Sequence, residues 1–190
     1  MGRIVVSQFV TLDGVAEDPG GAEGFERGGW AFRYERGEDG DRFKLEEVMS
    51  SNALLLGRRT YEGFAEAWPS RTGEFADKFN SMPKYVVSGT LTDPEWTNTT
   101  VVGTDVESAA ERVKREVEGD VLVNGSLGLV AALLERGLVD ELRLMVFPTV
   151  LGAGKRLFVD TDGERALRLV ESRPAGETLI AVYAPKEAAA

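Results

Sequence analysis

Two residue types are missing from this chain, since its 190 residues include no cysteine and no histidine. Without cysteine, disulfides, thiol nucleophiles and thiolate metal sites are excluded. Without histidine, the chain lacks the commonest general base, every Ser-His or Cys-His pair and most zinc chemistry. We therefore expect no metal site, and an enzyme with this sequence must work with carboxylates, hydroxyls, lysine or a cofactor.

Long apolar runs and an excess of positive charge are also missing. No segment approaches membrane-spanning length, and the start Met1-Gly2-Arg3-Ile4 lacks the layout of a signal peptide, so we expect a soluble cytoplasmic protein. The formal net charge of -10 makes nucleic acid and anionic membranes poor partners. A local cluster of positive charge could still hold one small anion, and the expected partner is a small molecule.

Segments with strand and helix periodicity alternate along a chain whose length is typical of one domain, which we place at 1–184 with a disordered tail at 185–190. Strands are predicted at 3–10, 53–56, 84–91, 99–102, 121–123, 141–152, 166–173 and 178–185. Helices are predicted at 41–50, at 60–68, over 104–117 from a capping box of Thr104 and Glu107, and from the cap Ser126 to Gly137. This order predicts a three-layer α/β fold: a mostly parallel twisted sheet, helices on both faces and an antiparallel C-terminal edge.

Residues 15–38 contain many glycines and acids with little periodicity. A loop of that length in a compact domain is usually functional or disordered. Trp30 lies in this loop after two glycines, and two interpretations are equally open. Its ring could fold over a planar ligand, or it could fill the core.

Three turns with small or polar residues follow predicted buried strands: Gly57-Arg58-Arg59-Thr60, Ser88-Gly89-Thr90 and Gly125-Ser126-Leu127-Gly128. The carboxyl ends of parallel strands share one edge of a sheet, where ligands bind. Free N–H groups at helix starts, glycines that permit close approach and paired arginines suit phosphate groups. Together they predict a dinucleotide site, with an arginine on an extra ribose phosphate. The alternative is that these residues serve turn geometry alone, and neither a Rossmann nor a Walker pattern is present.

The segment "LLLGRRTYE" resembles the Gly-Arg-x-Thr-Trp/Tyr-Glu signature of dihydrofolate-reductase-like proteins. The segment Leu122 to Phe158 is similar to the reductase domain of riboflavin-biosynthesis deaminase–reductases, and "VTLDGVA" and "GGW" fit the same branch. The resemblance covers nearly the whole chain. It implies a dihydrofolate-reductase-like fold, NADPH as hydride donor and a homodimer.

The resemblance also implies roles for cofactor-binding residues. Arg58 would contact the 2′-phosphate, together with Arg59, while Thr60, Ser88 and Gly89 would hold the pyrophosphate or adenosine side. A second phosphate cradle would consist of Gly125, Ser126, Leu127 and Gly128. Val15 and Ala16 would lie near the nicotinamide, and Gly57 completes the expected cofactor-binding residues.

On the substrate side, folate reductases carry an acid at the start of the helix that precedes the Gly-Arg strand. Asp41 stands at the matching spacing before Gly57, and would bind a pteridine-like ring or relay a proton. The alternative is that Asp41 only caps its helix. Trp30 and Met49 complete the expected substrate-binding residues, whereas Glu46 and Glu47 are expected on a solvated helix face.

The function expected from the resemblance is NADPH-dependent hydride transfer to a small heterocyclic or carbonyl compound, similar to 5-amino-6-(5-phosphoribosylamino)uracil reductase of riboflavin biosynthesis. Such chemistry needs no protein nucleophile, which agrees with the missing histidine. A stand-alone reductase is expected, because the deaminase domain and any zinc motif are absent. Dihydrofolate reduction is the alternative among enzymes. A non-catalytic NADPH-binding regulatory or scaffold protein is the alternative of another class.

Overall fold

The computed structural model of the protein describes residues 1–160 and 163–186. The strands are β1 (Arg3–Thr11), β2 (Ser51–Gly57), β3 (Lys84–Val87), β4 (Thr99–Val101), β5 (Asp120–Asn124), β6 (Glu141–Phe147), β7 (Leu167–Ala175) and β8 (Thr178–Pro185). The α-helices are α1 (Gly37–Ser50), α2 (Arg58–Ala67), α3 (Glu74–Ser81), α4 (Val106–Glu116) and α5 (Leu127–Glu135), and a 3₁₀ turn covers Trp30–Arg33. In the described part of the chain, no helix combines the length and apolar character needed to cross a membrane.

The eight strands form one sheet in the order β4-β3-β2-β5-β1-β6-β8-β7. All neighbouring pairs from β4 through β6 are parallel, and β8 and β7 add an antiparallel edge. The predicted fold class is therefore confirmed. The central strand β1 lies between β5 and β6, two strands that come much later in sequence, and β5 separates it from β2. This is the topological switch at which ligands bind in open α/β sheets.

Helices cover both faces of the sheet because the central strands are apolar on both sides. Leu54 and Leu56 pack with residues of α1, α2 and α3, whereas Ala53 and Leu55 pack with residues of α4 and α5. All four side chains are fully buried. This alternation follows from the two-residue period of a strand, in which neighbouring side chains point to opposite faces.

The structure corrects the predicted bounds in several places. Helix α3 was not predicted, and β6 ends at Phe147, where the following proline cannot donate to the ladder. The predicted capping box is wrong, because Asp105 is the N-cap and accepts a hydrogen bond from the Ser108 N–H at 2.8 Å. Strand β8 reaches Pro185, and the Lys186 N–H donates to the Ala166 carbonyl at 3.0 Å. The rest of the predicted tail, 187–190, lies outside the described residues.

The glycine-rich segment between β1 and α1 folds around one buried aspartate. Asp18 is 1% exposed, and its carboxylate accepts hydrogen bonds from the N–H groups of Glu23 and Phe25, each at 3.1 Å. Trp30 is fully buried, donates its indole N–H to the Glu17 carbonyl at 2.9 Å and packs edge-on against Phe147. Of the two interpretations of Trp30, this geometry is that of a core residue.

A buried lysine stabilises the junction of β3 with the loops around it. The Lys84 side chain is fully buried, and Nζ donates to the carbonyls of Asn80, Met82 and Thr97 at 2.6, 2.8 and 3.1 Å. The ammonium also lies 4.3 Å from the centroid of the Trp96 ring. Burial lowers the pKa of Lys84 to about 8. In the described part of the chain, no carboxylate pairs with this ammonium.

We predict that Lys84→Met lowers the free energy of unfolding by about 2–3 kcal/mol, because three backbone carbonyls lose the donor that a buried side chain supplies. Urea unfolding measures this, with Lys78→Met on α3 as the control.

Since the ordinary pKa of a lysine is 10.5 and that of Lys84 in the folded chain is about 8, the unfolded chain binds the Lys84 proton more readily than the folded chain. The unfolding free energy of the wild type should therefore rise between about pH 8 and pH 10.5 relative to Lys84→Met. A pH-independent difference would contradict the assignment.

Candidate functional site

The three turns singled out in the sequence meet at one edge of the sheet. Gly57 ends β2, Val87 ends β3 and Asn124 ends β5, and β2 pairs in parallel with both of the other strands. The carboxyl ends of the three strands therefore point the same way. Helices α2 and α5 begin directly beyond two of them, so their free N–H groups lie at this edge.

Reciprocal hydrogen bonds join the starts of α2 and α5. The Gly57 N–H donates to Ser126 Oγ at 2.9 Å, and the Ser126 N–H donates to Thr60 Oγ1 at 2.8 Å. Ser126 does not cap its own helix with its side chain, contrary to the usual role of serine at that position. We call these two hydrogen bonds, with Gly57, Thr60 and Ser126, the clasp. The clasp fixes the two helix starts side by side.

The clasp depends on unusual backbone geometry at Gly125 and Ser126. Both residues are left-handed, with φ of 62° and 52°. A Cβ on Gly125 would lie 3.0 Å from Thr60 Cγ2, so a larger residue there would press on the clasp. Gln8 of the central strand donates to the Gly125 carbonyl at 2.8 Å and is 5% exposed. By contrast, Gly128 in the first turn of α5 is exposed, and a Cβ there would meet no atom of the described residues within 4 Å.

Two guanidinium groups stand at the start of α2. Arg58 donates from Nε to Glu62 Oε1 at 2.7 Å and from Nη1 to Thr90 Oγ1, so it connects α2 to the turn after β3. Its side chain is 46% exposed. Arg59 is exposed, and its side chain has no partner among the described residues. The arrangement leaves positive charge facing solvent beside the clasp.

The turn after β3 is held by its own serine. Ser88 is 8% exposed, and its Oγ accepts hydrogen bonds from the N–H groups of Thr90 and Leu91 at 3.2 and 3.0 Å. Gly89 approaches the segment before α4 so closely that a Cβ would lie 2.6 Å from Thr104 Cγ2. The Ser88 hydroxyl therefore shapes the turn on which Arg58 rests.

Backbone hydrogen bonds connect the segment after β1 to the segment after β6. Val15 forms an isolated bridge with Arg156, and the Ala16 N–H donates to the Lys155 carbonyl at 2.9 Å. Asp13 accepts the Thr11 hydroxyl at 2.6 Å and the Gly152 N–H at 2.8 Å. These hydrogen bonds, that of Thr11 above all, lower the pKa of Asp13 to about 2. Val15 and Ala16 are both buried, and these contacts fix their position.

The structure does not bring the expected substrate-side residues to this edge. The Asp41 side chain is 64% exposed and forms an ion pair with Arg36. Met49 is 40% exposed near the end of α1, and Trp30 lies in the core. In the described part of the chain, no group of three acidic residues forms a plausible metal site.

Two charged residues that the sequence did not indicate as site candidates lie at the centre of the sheet, one on α1 and one on β6. Glu47, expected on a solvated face, is 2% exposed, and it pairs with Lys44 against Ser7 of the central strand. Arg143 of β6 lies in register with Ser7. Polar residues that interrupt the apolar strands β1 and β6 were the available signal, because a buried polar group requires a partner.

Comparisons with known proteins agree with this architecture. A sequence model of the family described as RibD C-terminal domain matches residues 3–181. The uncharacterized protein YyaP of Bacillus subtilis (strain 168) is 26% identical over 176 residues, which cover 90% of this chain and 88% of that protein.

Solved structures also share the fold, and two of them illustrate the similarity. A protein of Shewanella sp. PV-4 that is assigned to riboflavin biosynthesis has a TM-score of 0.78 at 19% identity, covering 97% of this chain and 99% of that chain. The diaminohydroxyphosphoribosylaminopyrimidine deaminase/5-amino-6-(5-phosphoribosylamino)uracil reductase of Thermotoga maritima has a TM-score of 0.64 at 15% identity, covering 97% of this chain and 57% of that chain.

Proposed function

The chain belongs to the RibD C-terminal domain family, and on that premise we propose that it is an NADPH-dependent reductase of a small heterocyclic or carbonyl compound. The observation that carries the proposal is the clasp, which sets two helix starts side by side next to Arg58 and Arg59. Helix starts stabilise anions through their free N–H groups and the helix dipole. A dinucleotide with an additional ribose phosphate matches both features.

The residues present fit this cofactor. Gly128, in the first turn of α5, has no side chain and opens to solvent, so a phosphate could approach the backbone there. The exposed guanidinium of Arg59 and the half-exposed guanidinium of Arg58 suit the 2′-phosphate, since arginine binds phosphate as a planar fork. Bound NADPH would supply the hydride, so the protein needs no nucleophile of its own.

The protein's own residues would align and shield the reactants. In this proposal Val15 and Ala16 form the wall beside the nicotinamide, held by the bridge to Arg156 and the hydrogen bond to Lys155. Thr60, Ser88 and Ser126 act mainly by shaping the turns, because their hydroxyls already bond within the protein. A rigid site of this kind raises the rate by holding donor and acceptor in a reactive geometry.

One activity named among the similar structures is 5-amino-6-(5-phosphoribosylamino)uracil reduction, which the Thermotoga maritima protein carries in its name. Dihydrofolate reduction is the second candidate among enzymes. It depends on a carboxylate that faces the substrate, and Asp41 is exposed and paired with Arg36. A non-catalytic NADPH-binding protein would share the clasp and the arginines, so only turnover separates it from a reductase.

We expect Arg58→Ala to weaken NADPH binding by about 10- to 100-fold, because a charge-assisted hydrogen bond to phosphate is lost, and to leave NADH binding nearly unchanged. Isothermal titration of both cofactors measures this. Arg115→Ala, an exposed arginine on α4, serves as the matched control. An equal loss for NADPH and NADH would refute the 2′-phosphate contact.

Turnover decides between an enzyme and a binding protein. With aminopyrimidines, pterins, dihydrofolate and simple carbonyl compounds as acceptors, a reductase should consume NADPH with at least one class, as followed by the absorbance of NADPH. Preferential turnover of dihydrofolate would favour the second candidate. Tight NADPH binding without turnover on the whole panel would establish a non-catalytic binding protein instead.

The proposal extends to a homodimer. Leu169 of β7 and Leu179 of β8 lie on the sheet face that carries α4 and α5, and they are 55% and 42% exposed. An apolar face at a sheet edge is a common subunit interface. Sedimentation equilibrium should show a dimer that Leu169→Glu dissociates, whereas Phe32→Glu, at an exposed residue outside this face, should not. A monomeric wild type would contradict the assembly.

A further inference from the structure

An ion pair on α1 faces the centre of the sheet, apart from the helix starts that we propose for the cofactor. Lys44 and Glu47 are three residues apart, and their side chains are 12% and 0% exposed. The desolvation penalty of a buried ion pair often exceeds its attraction, so apolar residues would stabilise this position at least as well. Stability alone therefore does not explain the pair.

The Lys44 ammonium has one hydrogen-bond donor in excess. Nζ donates to Ser7 Oγ at 2.9 Å and to Glu47 Oε1, and it lies 5.4 Å from the centroid of the Phe9 ring. An ammonium group carries three N–H donors. The described residues accept two of them, and part of the side chain is exposed. The third donor is therefore available to a ligand.

The central strand β1 connects Lys44 to the turn that follows β5. Ser7, which holds Lys44, pairs in register with Asn124, the residue directly before Gly125. The next residue, Gln8, points to the opposite face and donates to the Gly125 carbonyl. Lys44 thus lies on the α1 side of the sheet, at the level where the turn after β5 begins.

Glu47 orients Lys44 but cannot itself reach a ligand. Its side chain is fully buried, and Oε2 accepts no hydrogen bond from the described residues, with Arg143 Nη1 at 3.7 Å as the neighbouring cation. The carboxylate is enclosed between Lys44 and Arg143. It therefore fixes the ammonium in place, which makes Glu47 a positioning residue.

The charges around this pair balance. Three cations and three anions form a connected cluster from α1 and the strands β1, β5 and β6: Lys44, Arg143, Arg3, Glu47, Asp120 and Glu141. Arg36 also lies over the Phe9 ring at 5.9 Å, but it pairs with Asp41. Removal of one charge leaves a buried opposite charge in excess, so a charge-balanced variant is needed beside a single substitution.

We infer that Lys44 is the specificity-determining donor of the substrate site, and that it selects a planar ring which presents a hydrogen-bond acceptor, such as a carbonyl oxygen, towards α1. The inference rests on the proposed function, in which the cofactor lies at the carboxyl ends of the parallel strands and its acceptor beside it. A carboxylate here would instead select a ring with paired N–H donors. The acid expected from sequence, Asp41, lies three residues earlier and points to solvent.

Two probes separate these possibilities. Lumazine and pterin share a pteridine ring with a carbonyl at C4 and differ at C2, where lumazine has a second carbonyl oxygen and pterin an N–H donor, the amino group. We expect the wild type to bind lumazine at least about tenfold more tightly than pterin at neutral pH, in calorimetry with and without NADP⁺. Lys44→Met should abolish this ratio, and Lys44→Arg should keep part of it. NADPH affinity should be the same in all three proteins.

Controls separate recognition from folding. The double variant Lys44→Met/Glu47→Gln removes both charges, preserves neutrality and should also lose the ratio. Glu47→Gln alone should also lower the ratio, because the Lys44 side chain loses its anchor. Lys114→Met on α4 removes a lysine of similar exposure, 15%, that pairs with Asp140, and it should leave the ratio unchanged.

The outcomes distinguish this inference from the proposed function. An unchanged lumazine-to-pterin ratio in Lys44→Met or in the double variant would overturn the role of Lys44. A wild type that prefers pterin, or that binds neither probe at millimolar concentration, would overturn it as well. A Lys44-dependent preference for lumazine in a protein that binds no NADPH would support the inference and refute the proposed cofactor.

Discussion

The candidate site depends on the clasp, two reciprocal hydrogen bonds that join the starts of α2 and α5. The residues that each bond joins are 69 and 66 positions apart in sequence. Because Ser126 accepts a hydrogen bond from the Gly57 N–H and donates its own N–H to Thr60, neither helix start can shift without the other. The parallel pairing of β2 with β5 brings the two turns together, and the left-handed backbone at Gly125 permits the contact. The geometry offered to a ligand is therefore set before any ligand binds, which limits the entropy lost on binding.

Charge is distributed unevenly in this acidic protein. The net charge of -10 would repel an anionic ligand at long range, yet Arg58 and Arg59 stand together at the start of α2. Arg58 is held in place by Glu62 and Thr90, so in the proposed complex it would lose less conformational freedom on binding a phosphate. Local positive charge at a helix start can thus act within a negative surface, because screening by salt confines the wider field to about 10 Å.

Lys84 and Lys44 illustrate different uses of an ammonium group. Lys84 is surrounded by three carbonyls, so all its donors are used and its role is structural. Lys44 is held by one hydroxyl and one carboxylate and remains partly exposed, which leaves a donor for another molecule. Donor count and exposure distinguish the two residues, whereas residue type alone does not.

The sequence by itself determined the strands of the sheet, most of the helices and the three turns. Apolar periodicity and the placement of glycines are local properties, which can be read without knowledge of the tertiary structure. The family signature around Gly57 likewise identified the strand-to-helix turn that now carries Arg58 and Arg59. Only the tertiary structure decided which side of α1 faces the sheet, so that Asp41 is exposed and Glu47 buried, and that Trp30 fills the core. Helix α1 has weak amphipathic character, and its inward charges are compensated by Ser7 and Arg143 on strands distant in sequence. A buried charge is recognisable only together with its partner, and that pairing exists only in the folded chain.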